Sequence, residues 1–311
     1  MNKSCLVSIE GGLGKNVMFT SILKLLHTNY ETIYTVSPYY DVFKCCKEVE
    51  DSFPMGNPSL YQLVMDNDVD VLWKEPYSNR RFIKKECHLF DAWCEELGIE
   101  QIPNKLDINA YLSGNKPANL VPDIDVGKEY PELVKGAKEL SDKLGKFILV
   151  QFCGGQSPLQ LNDKYDWKQE VIKRNYFKAQ ELINALHAKY PDCKIVHFSL
   201  KTEPSFDNAE KIEAPYLMYH ELAKYAYKVV CTDSSLQHLV TGVCHDVTVI
   251  WGETRPEHFG YACNKNICAQ NVINSQPYFR PLGVSPAIVK MPSVEDVMDA
   301  VACDTTEWRN K

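Results

Sequence analysis

Long apolar runs are missing from this 311-residue chain. No stretch approaches the roughly 20 residues that a membrane-spanning helix needs. Glycine and proline are sparse, at 15 and 17 residues, which excludes collagen-like and low-complexity classes. A basic excess is missing too. The 34 Lys and Arg against 41 Asp and Glu give a formal charge of −7. That argues against a nucleic-acid surface driven by overall charge, because such binding rests on Lys and Arg neutralising phosphates, and it leaves room only for a local basic groove. No C-x-x-C spacing occurs among the 12 cysteines, and only Cys45 and Cys46 are neighbours. Cys5, Cys153, Cys231 and Cys244 lie in or beside apolar runs, where a free thiol behaves as a small hydrophobe, so reduced cysteines and no zinc site are expected. The first ten residues, MNKSCLVSIE, run straight into a glycine-rich turn without the apolar run and cleavage site of a signal peptide, so a cytoplasmic location is expected.

What is present is alternation. At roughly 100–200 residues per domain, the length fits two domains of moderate size or one large one. Residues 5–9 form a β-rich run, residues 10–16 a glycine-rich turn, and Val17, Phe19, Thr20, Leu23, Leu25 and Leu26 recur at helical spacing. Strands are predicted over 31–36 and 69–73, and a helix over 79–97 with Phe82, Leu89, Phe90, Trp93 and Leu97 on its apolar face. A proline-bearing stretch over 115–133, with Pro117, Pro122 and Pro131, reads as a junction. A second series follows: helix 132–144, a continuous apolar strand at 147–152, helix 175–189, strand 194–198, helix 217–226, strand 228–231, helix 235–243, strand 247–251 and a last amphipathic helix at 293–303. Strands alternating with helices predict an α/β fold with parallel sheets. The domains are placed at 1–130 and 131–311, with the segment 293–305 packing back on the first.

Three segments could carry chemistry. The first is Glu10-Gly11-Gly12-Leu13-Gly14-Lys15-Asn16, between a strand and a helix. Glycines let backbone N–H groups approach a ligand, and a helix start favours anions. A phosphate-binding loop of the Walker A type would need glycine at 9 and Ser or Thr at 16, where Ile9 and Asn16 stand. The dinucleotide pattern G-x-G-x-x-G would need glycine at 17, which is Val17. Spacing alone leaves an ordinary tight turn open. The second is Asp233-Ser234-Ser235-Leu236-Gln237-His238, again a polar turn between strand and helix. Its residues can cap the helix, and its free N–H groups and hydroxyls suit a diphosphate. A plain cap beside a surface histidine is the alternative. The third, Trp251-Gly252-Glu253-Thr254-Arg255-Pro256, follows a buried strand and so stands at the carboxyl edge of a sheet, where ligands bind in open α/β folds; a surface loop is the alternative. The Asp-x-Asp pairs at 66–68, 68–70 and 123–125 read as solvated acidic turns rather than metal ligands, and Arg80, Arg81, Lys84 and Lys85 as a solvated helix face.

Taken together, the three segments resemble the glycosyltransferase family that contains the bacterial heptosyltransferases. That family carries a Gly-Leu-Gly-Asp turn near its N-terminus, and Gly12-Leu13-Gly14-Lys15 occupies this place. Its later Asp-Ser/Thr-Gly-x-x-His and Gly-x-Thr-x-Pro motifs are matched in order and spacing by Asp233–His238 and Gly252–Pro256. The chain also resembles divergent members from tailed-phage genomes, through Gly11–Asn16, Pro76-Tyr77 and Phe259-Gly260-Tyr261. The resemblance implies a GT-B architecture of two Rossmann-like domains facing across a cleft. It implies a nucleotide-sugar donor held by Asp233, Ser234, Ser235, His238, Gly252 and Thr254 of the second domain, and an acceptor near Gly11, Gly12, Gly14, Asn16 and Glu75 of the first. No metal or cofactor beyond the co-substrate is implied.

One departure from the family pattern matters. The family's general base is the aspartate after Gly-Leu-Gly, and here that residue is Lys15, which cannot take the role at neutral pH unless its pKa is strongly lowered. Glu10 is expected to be the base, with Glu75 second, and Lys15 a phosphate ligand of donor or acceptor. The implied activity is inverting transfer of a sugar to a hydroxyl: that of a hydroxymethylated base in phage DNA, in a host cytoplasm, or that of a cell-surface saccharide. A non-catalytic nucleotide or sugar-phosphate binding protein on the same scaffold is the other class. A nucleotide-sugar epimerase lacks an identifiable catalytic constellation.

Overall fold

The computed structural model describes residues 3–66, 68–99, 121–154, 175–199, 201, 203–252, 254–270 and 290–305. The chain forms two compact units, Met1–Val134 and Lys135–Lys311. The first contains β1 (Ser4–Ser8), α1 (Leu13–Thr20), α2 (Leu23–Leu26), β2 (Thr32–Val36), α3 (Tyr40–Lys44), β3 (Val49–Phe53), α4 (Ser59–Asp66), β4 (Val69–Trp73), α5 (Arg80–Ile83) and α6 (Leu89–Glu96), with short 3₁₀ turns at Pro76–Ser78 and Val126–Lys128. After α7 (Pro131–Leu144), within which the two units divide, the second contains β5 (Phe147–Gln151), α8 (Ala179–Lys189), β6 (Lys194–Phe198), β7 (Glu210–Ile212), α9 (Tyr216–Ala223), β8 (Lys228–Thr232), α10 (Ser235–Thr241), β9 (Val247–Trp251), α11 (Pro256–Phe259), β10 (Lys265–Cys268) and α12 (Val294–Ala302).

Both sheets are parallel throughout. The first has the order β3-β2-β1-β4, the second β10-β9-β8-β5-β6-β7. In each, the strand order reverses once: between β1 and β4 in the first, between β5 and β8 in the second. These reversals are topological switch points, where the connections leave toward opposite faces and open a crevice at the carboxyl edge. The α/β class and the parallel sheets agree with the alternation in the sequence.

The elements that the sequence does not announce have physical causes. The helix expected to run on from residue 17 through 26 breaks after Thr20. Thr20 Oγ1 donates to the Val17 carbonyl at 2.7 Å and Ser21 Oγ to the Met18 carbonyl at 2.5 Å, and Ser21 and Ile22 bond three residues back. Hydroxyls that bond back to the helix backbone favour such a bend. The helix expected over 79–97 is two helices, separated by Lys85 in the left-handed region (φ 60°) and restarted by His88, whose capping box with Asp91 closes the first turn of α6. The strands β3, β7 and β10 lie at sheet edges and lack the apolar runs of central strands. The last helix packs in its own unit, against α8, β9 and β10 through Val297, Ala300 and Val301, where the sequence reading had placed it on the first domain. Its apolar stripe completes the core containing Phe152, Tyr176, Leu182 and Ile195. In the first unit, Phe19 packs edge-on against both Trp93 and Phe43.

At the amino edge of the second sheet, one carboxylate serves two lysines. Asp246, just before β9, pairs with Lys228 at the start of β8 and, at 2.6 Å, with the fully buried Lys265 at the start of β10. Lys265 also donates to the Cys303 carbonyl just past α12 at 2.9 Å. No helix among the described residues is long and apolar enough to cross a membrane.

Candidate functional site

In the first unit the glycine-rich turn leaves β1 at the switch point. Ser8 pairs with Trp73 in the last rung of the β1–β4 ladder, and Glu10 and Glu75 each follow two residues later, at the carboxyl edge. The Lys15 ammonium contacts both Glu75 oxygens at 2.8 Å. The Lys15 side chain is 3% exposed and that of Glu75 is 47% exposed. Beneath the pair, the ammonium lies 4.9 Å from the Tyr77 ring centroid and 5.3 Å from that of Trp93, distances that suit cation–π attraction. The Tyr77 amide donates to Glu75 Oε1 at 3.1 Å. Gly11 has φ +93°, and a Cβ there would stand 3.2 Å from Lys15 Cδ, so glycine is required both for the turn and for the lysine's path.

Asn16 is fully buried. Its amide donates to the Gly12 carbonyl at 2.9 Å, and its oxygen accepts from Ser37 Oγ at 2.6 Å, which ties the turn after β1 to the one after β2. Gly12 is the N-cap of α1 and Gly14 lies in its first turn, without a side-chain cap. Glu10 therefore does not cap that helix, and Lys15 pairs with Glu75 rather than with Glu10. Among the described residues, no hydrogen bond or ion pair engages the half-buried Glu10 carboxylate. The expected phosphate-binding lysine is buried and committed to a carboxylate.

In the second unit the turns after β5, β8 and β9 meet at the other switch point. Ser234 caps α10 by accepting from the Leu236 amide, and its hydroxyl donates to Gln151 Oε1 at the end of β5, bridging the switch point. Asp233 is 4% exposed. It accepts from Gln237 Nε2 at 2.6 Å and from the Thr254 hydroxyl, so a single carboxylate joins the second and third sequence motifs. Gly154 approaches this turn so closely that a Cβ would lie 3.0 Å from the Asp233 carbonyl. Gly252 is buried and Ser235, the first residue of α10, is half-buried. His238, expected as a diphosphate ligand, is 6% exposed rather than a surface histidine, and its Nδ1 shares a 2.8 Å hydrogen bond with the Tyr261 hydroxyl. Glu253 of the third motif lies outside the described residues.

Sequence reasoning missed Gln151, Gln237 and Tyr261. Gln237 falls within a motif it named, and Tyr261 within the Phe-Gly-Tyr segment, but nothing in the spacing pairs them with Asp233 and His238. Among the described residues, no group of three or more His, Cys, Asp or Glu side chains could hold a metal ion. Burial pushes the Cys5 thiol up to about 12, and Cys153 likewise, so neither is a ready nucleophile.

The sequence matches no family profile, and comparison with curated proteins finds no relative. Solved structures do match. A glycosyl transferase family 9 protein from Veillonella parvula aligns over 96% of both chains with a TM-score of 0.63 at 13% identity. The ADP-heptose lipopolysaccharide heptosyltransferase II of E. coli aligns over 86% of this chain and 91% of its own, with a TM-score of 0.54 at 14% identity. The E. coli heptosyltransferase WaaC, solved with ADP, aligns over 88% and 93%, with a TM-score of 0.53 at 12% identity. The chain thus has the α/β, GT-B fold of these glycosyltransferases.

Proposed function

We propose that this protein is an inverting, metal-independent glycosyltransferase that moves a sugar from a nucleotide-sugar to an acceptor hydroxyl. The observation that carries the reading is the coincidence of polar clusters with switch points. In each sheet, the residues singled out from the sequence gather at the one carboxyl-edge position where an open α/β sheet offers a crevice. The shared fold with heptosyltransferases, one of them solved with ADP, points to a nucleoside-diphosphate sugar, with an adenosine diphosphate sugar first among the donors to test.

In this reading the acceptor oxygen attacks the anomeric carbon and gives its proton to Glu10. The bond from that carbon to the diphosphate breaks on the opposite face, and the nucleoside diphosphate leaves with the electron pair. The donor lies against Ser234, Ser235, Gly252 and Thr254, the last held by Asp233, with His238 held by Tyr261. Glu75 belongs to the acceptor side with Gly11, Gly12, Gly14 and Asn16. Of the two acceptor classes, a saccharide agrees better than DNA with a formal charge of −7.

The test is transfer from a panel of nucleotide-sugars to saccharides and to hydroxymethylated DNA, with Glu10→Gln beside the wild type. General-base help is worth about 10²–10⁴-fold, so the variant should lose at least about a hundredfold in kcat with donor affinity nearly unchanged. Undiminished kcat removes Glu10 as the base. Donor binding without any transfer makes the protein a nucleotide-sugar binding protein instead.

A further inference from the structure

We infer that Lys15 is a positioning residue which acts through Glu75, and that the Glu75 carboxylate it fixes selects an uncharged, polyhydroxylated acceptor. The inference rests on the glycosyltransferase reading above and names the acceptor class of that site.

The pair is built asymmetrically. The ammonium is buried, with its side chain 3% exposed, while the carboxylate it holds is 47% exposed. Burying an ammonium costs several kcal/mol of hydration, and the attraction of an exposed partner offsets little of that. The arrangement is therefore poor as a device for stability. It does fix where one carboxylate points. Both Glu75 oxygens sit 2.8 Å from the ammonium, and one also accepts from the Tyr77 amide. The lysine is in turn packed by Tyr77, Trp93 and the backbone of Gly11. Three separate segments of the first unit, the Gly11–Lys15 turn, Glu75–Tyr77 and Trp93, thus converge on this ion pair at the switch point.

Glu10 and Glu75 each follow the last rung of the β1–β4 ladder, Ser8 with Trp73, by two residues. Adjacent strands are about 4.8 Å apart. Carboxylates that leave the ends of neighbouring strands can accept from two hydroxyls of one sugar ring, Glu10 from the attacking hydroxyl and Glu75 from another on the same ring. With Lys15 spent on Glu75, the local balance of the three groups is one net negative charge. A phosphate carried by the acceptor would be repelled there, and so would the phosphates flanking a DNA base.

The experiment uses the full chain and four variants: Glu75→Gln, Lys15→Met, the two combined, and Lys15→Arg. Acceptors are neutral saccharides, the same saccharides phosphorylated, and hydroxymethylated duplex DNA. Neutral saccharides should be the best acceptors. Glu75→Gln should raise the acceptor KM about tenfold or more, the usual effect of losing a hydrogen bond to a charged group, with the donor KM unchanged. Lys15→Met should do the same, the combined variant should be no worse than either alone, and Lys15→Arg should restore most of the loss. Multiplying effects, a shifted donor KM, or preference for a phosphorylated or DNA acceptor overturns the inference. A crystal structure of Lys15→Met needs no activity: a Glu75 carboxylate that stays in place overturns the positioning role, and a displaced one supports it. A wild type that transfers to none of the acceptors overturns the transferase reading and the acceptor class with it, while that crystal structure still decides the role of Lys15.

Discussion

Asp233 is the place where a small chemical change should separate two kinds of loss. Its carboxylate is buried and accepts from Gln237 Nε2 and the Thr254 hydroxyl. Each hydrogen bond to a charged group contributes about 1.5–3 kcal/mol. Asp233→Ala removes both acceptors and leaves two buried donors, the Gln237 amide and the Thr254 hydroxyl, without them. A net cost of roughly 3–5 kcal/mol follows. For a domain of this size each kcal/mol lowers Tm by about 2–4 °C, so the melting transition of the second unit should fall by roughly 6–20 °C. Asp233→Asn should behave differently. Gln237 Oε1 is buried and has no hydrogen-bond partner among the described residues. If the Gln237 amide turns over, that oxygen can accept from the new Asn nitrogen, while the Asn oxygen still accepts from Thr254. The cost should then be about 1 kcal/mol. Calorimetric melts of both variants, beside titrations with nucleoside diphosphates, measure the two effects. Equal losses for Ala and Asn, or less than about 1 kcal/mol for Ala, would refute the carboxylate as the joint between the two motifs.

Three further outcomes are expected. Gly260→Ala would place a Cβ 2.7 Å from Pro256 Cα and 2.8 Å from the buried Trp251 ring, forcing α11 to shift; overpacking of this kind costs about 1–3 kcal/mol, read as a lower denaturation midpoint with unchanged m. His197 is held neutral, its pKa lowered to about 4 by burial and the nearby Lys211. The unfolded chain takes up that proton near pH 6.5, so stability is complete above that pH and declines as pH falls toward about 4; His197→Phe should flatten this part of the stability profile, and an unaltered slope counts against the assignment. Transfer activity should survive excess EDTA, because the donor set lacks a metal cluster among the described residues; loss with chelator and return with Mn²⁺ or Mg²⁺ would overturn that.

The sequence was readable where local signals and burial coincide. The strands β5, β8 and β9 are buried along their whole length, so each carries an apolar run, at Phe147–Val150, Val229–Cys231 and Val249–Trp251. The turn around Gly12 and the cap at Ser234 carry their own punctuation. Edge strands such as Val49–Phe53, with two adjacent exposed acids between buried residues, leave no such trace. The site was legible as motifs and illegible as contacts. Lys15 and Glu75 are 60 positions apart, His238 and Tyr261 are 23 apart, and only the strand order brings them together. A histidine in a helix-start motif reads as a ligand, and its burial against a tyrosine becomes visible only in the fold.

The clamp formed by Lys228, Asp246 and Lys265 bears on how freely this chain can diverge. A buried ion pair resists the loss of either partner far more than its net contribution to stability would indicate, because the residue left behind is an unpaired buried charge. Here one carboxylate makes two such dependencies, and Lys265 extends them to the last helix. Substitution at any of the three is therefore strongly penalised, yet all three stand at the foot of the sheet, away from the edge that bears Asp233, Gly252 and Thr254. The positions that hold the strands in register and the positions that would meet a donor are thus under separate constraint. A lineage can exchange its donor loops residue by residue while the fastening stays untouched, which is one route by which a fold persists when little of its sequence does.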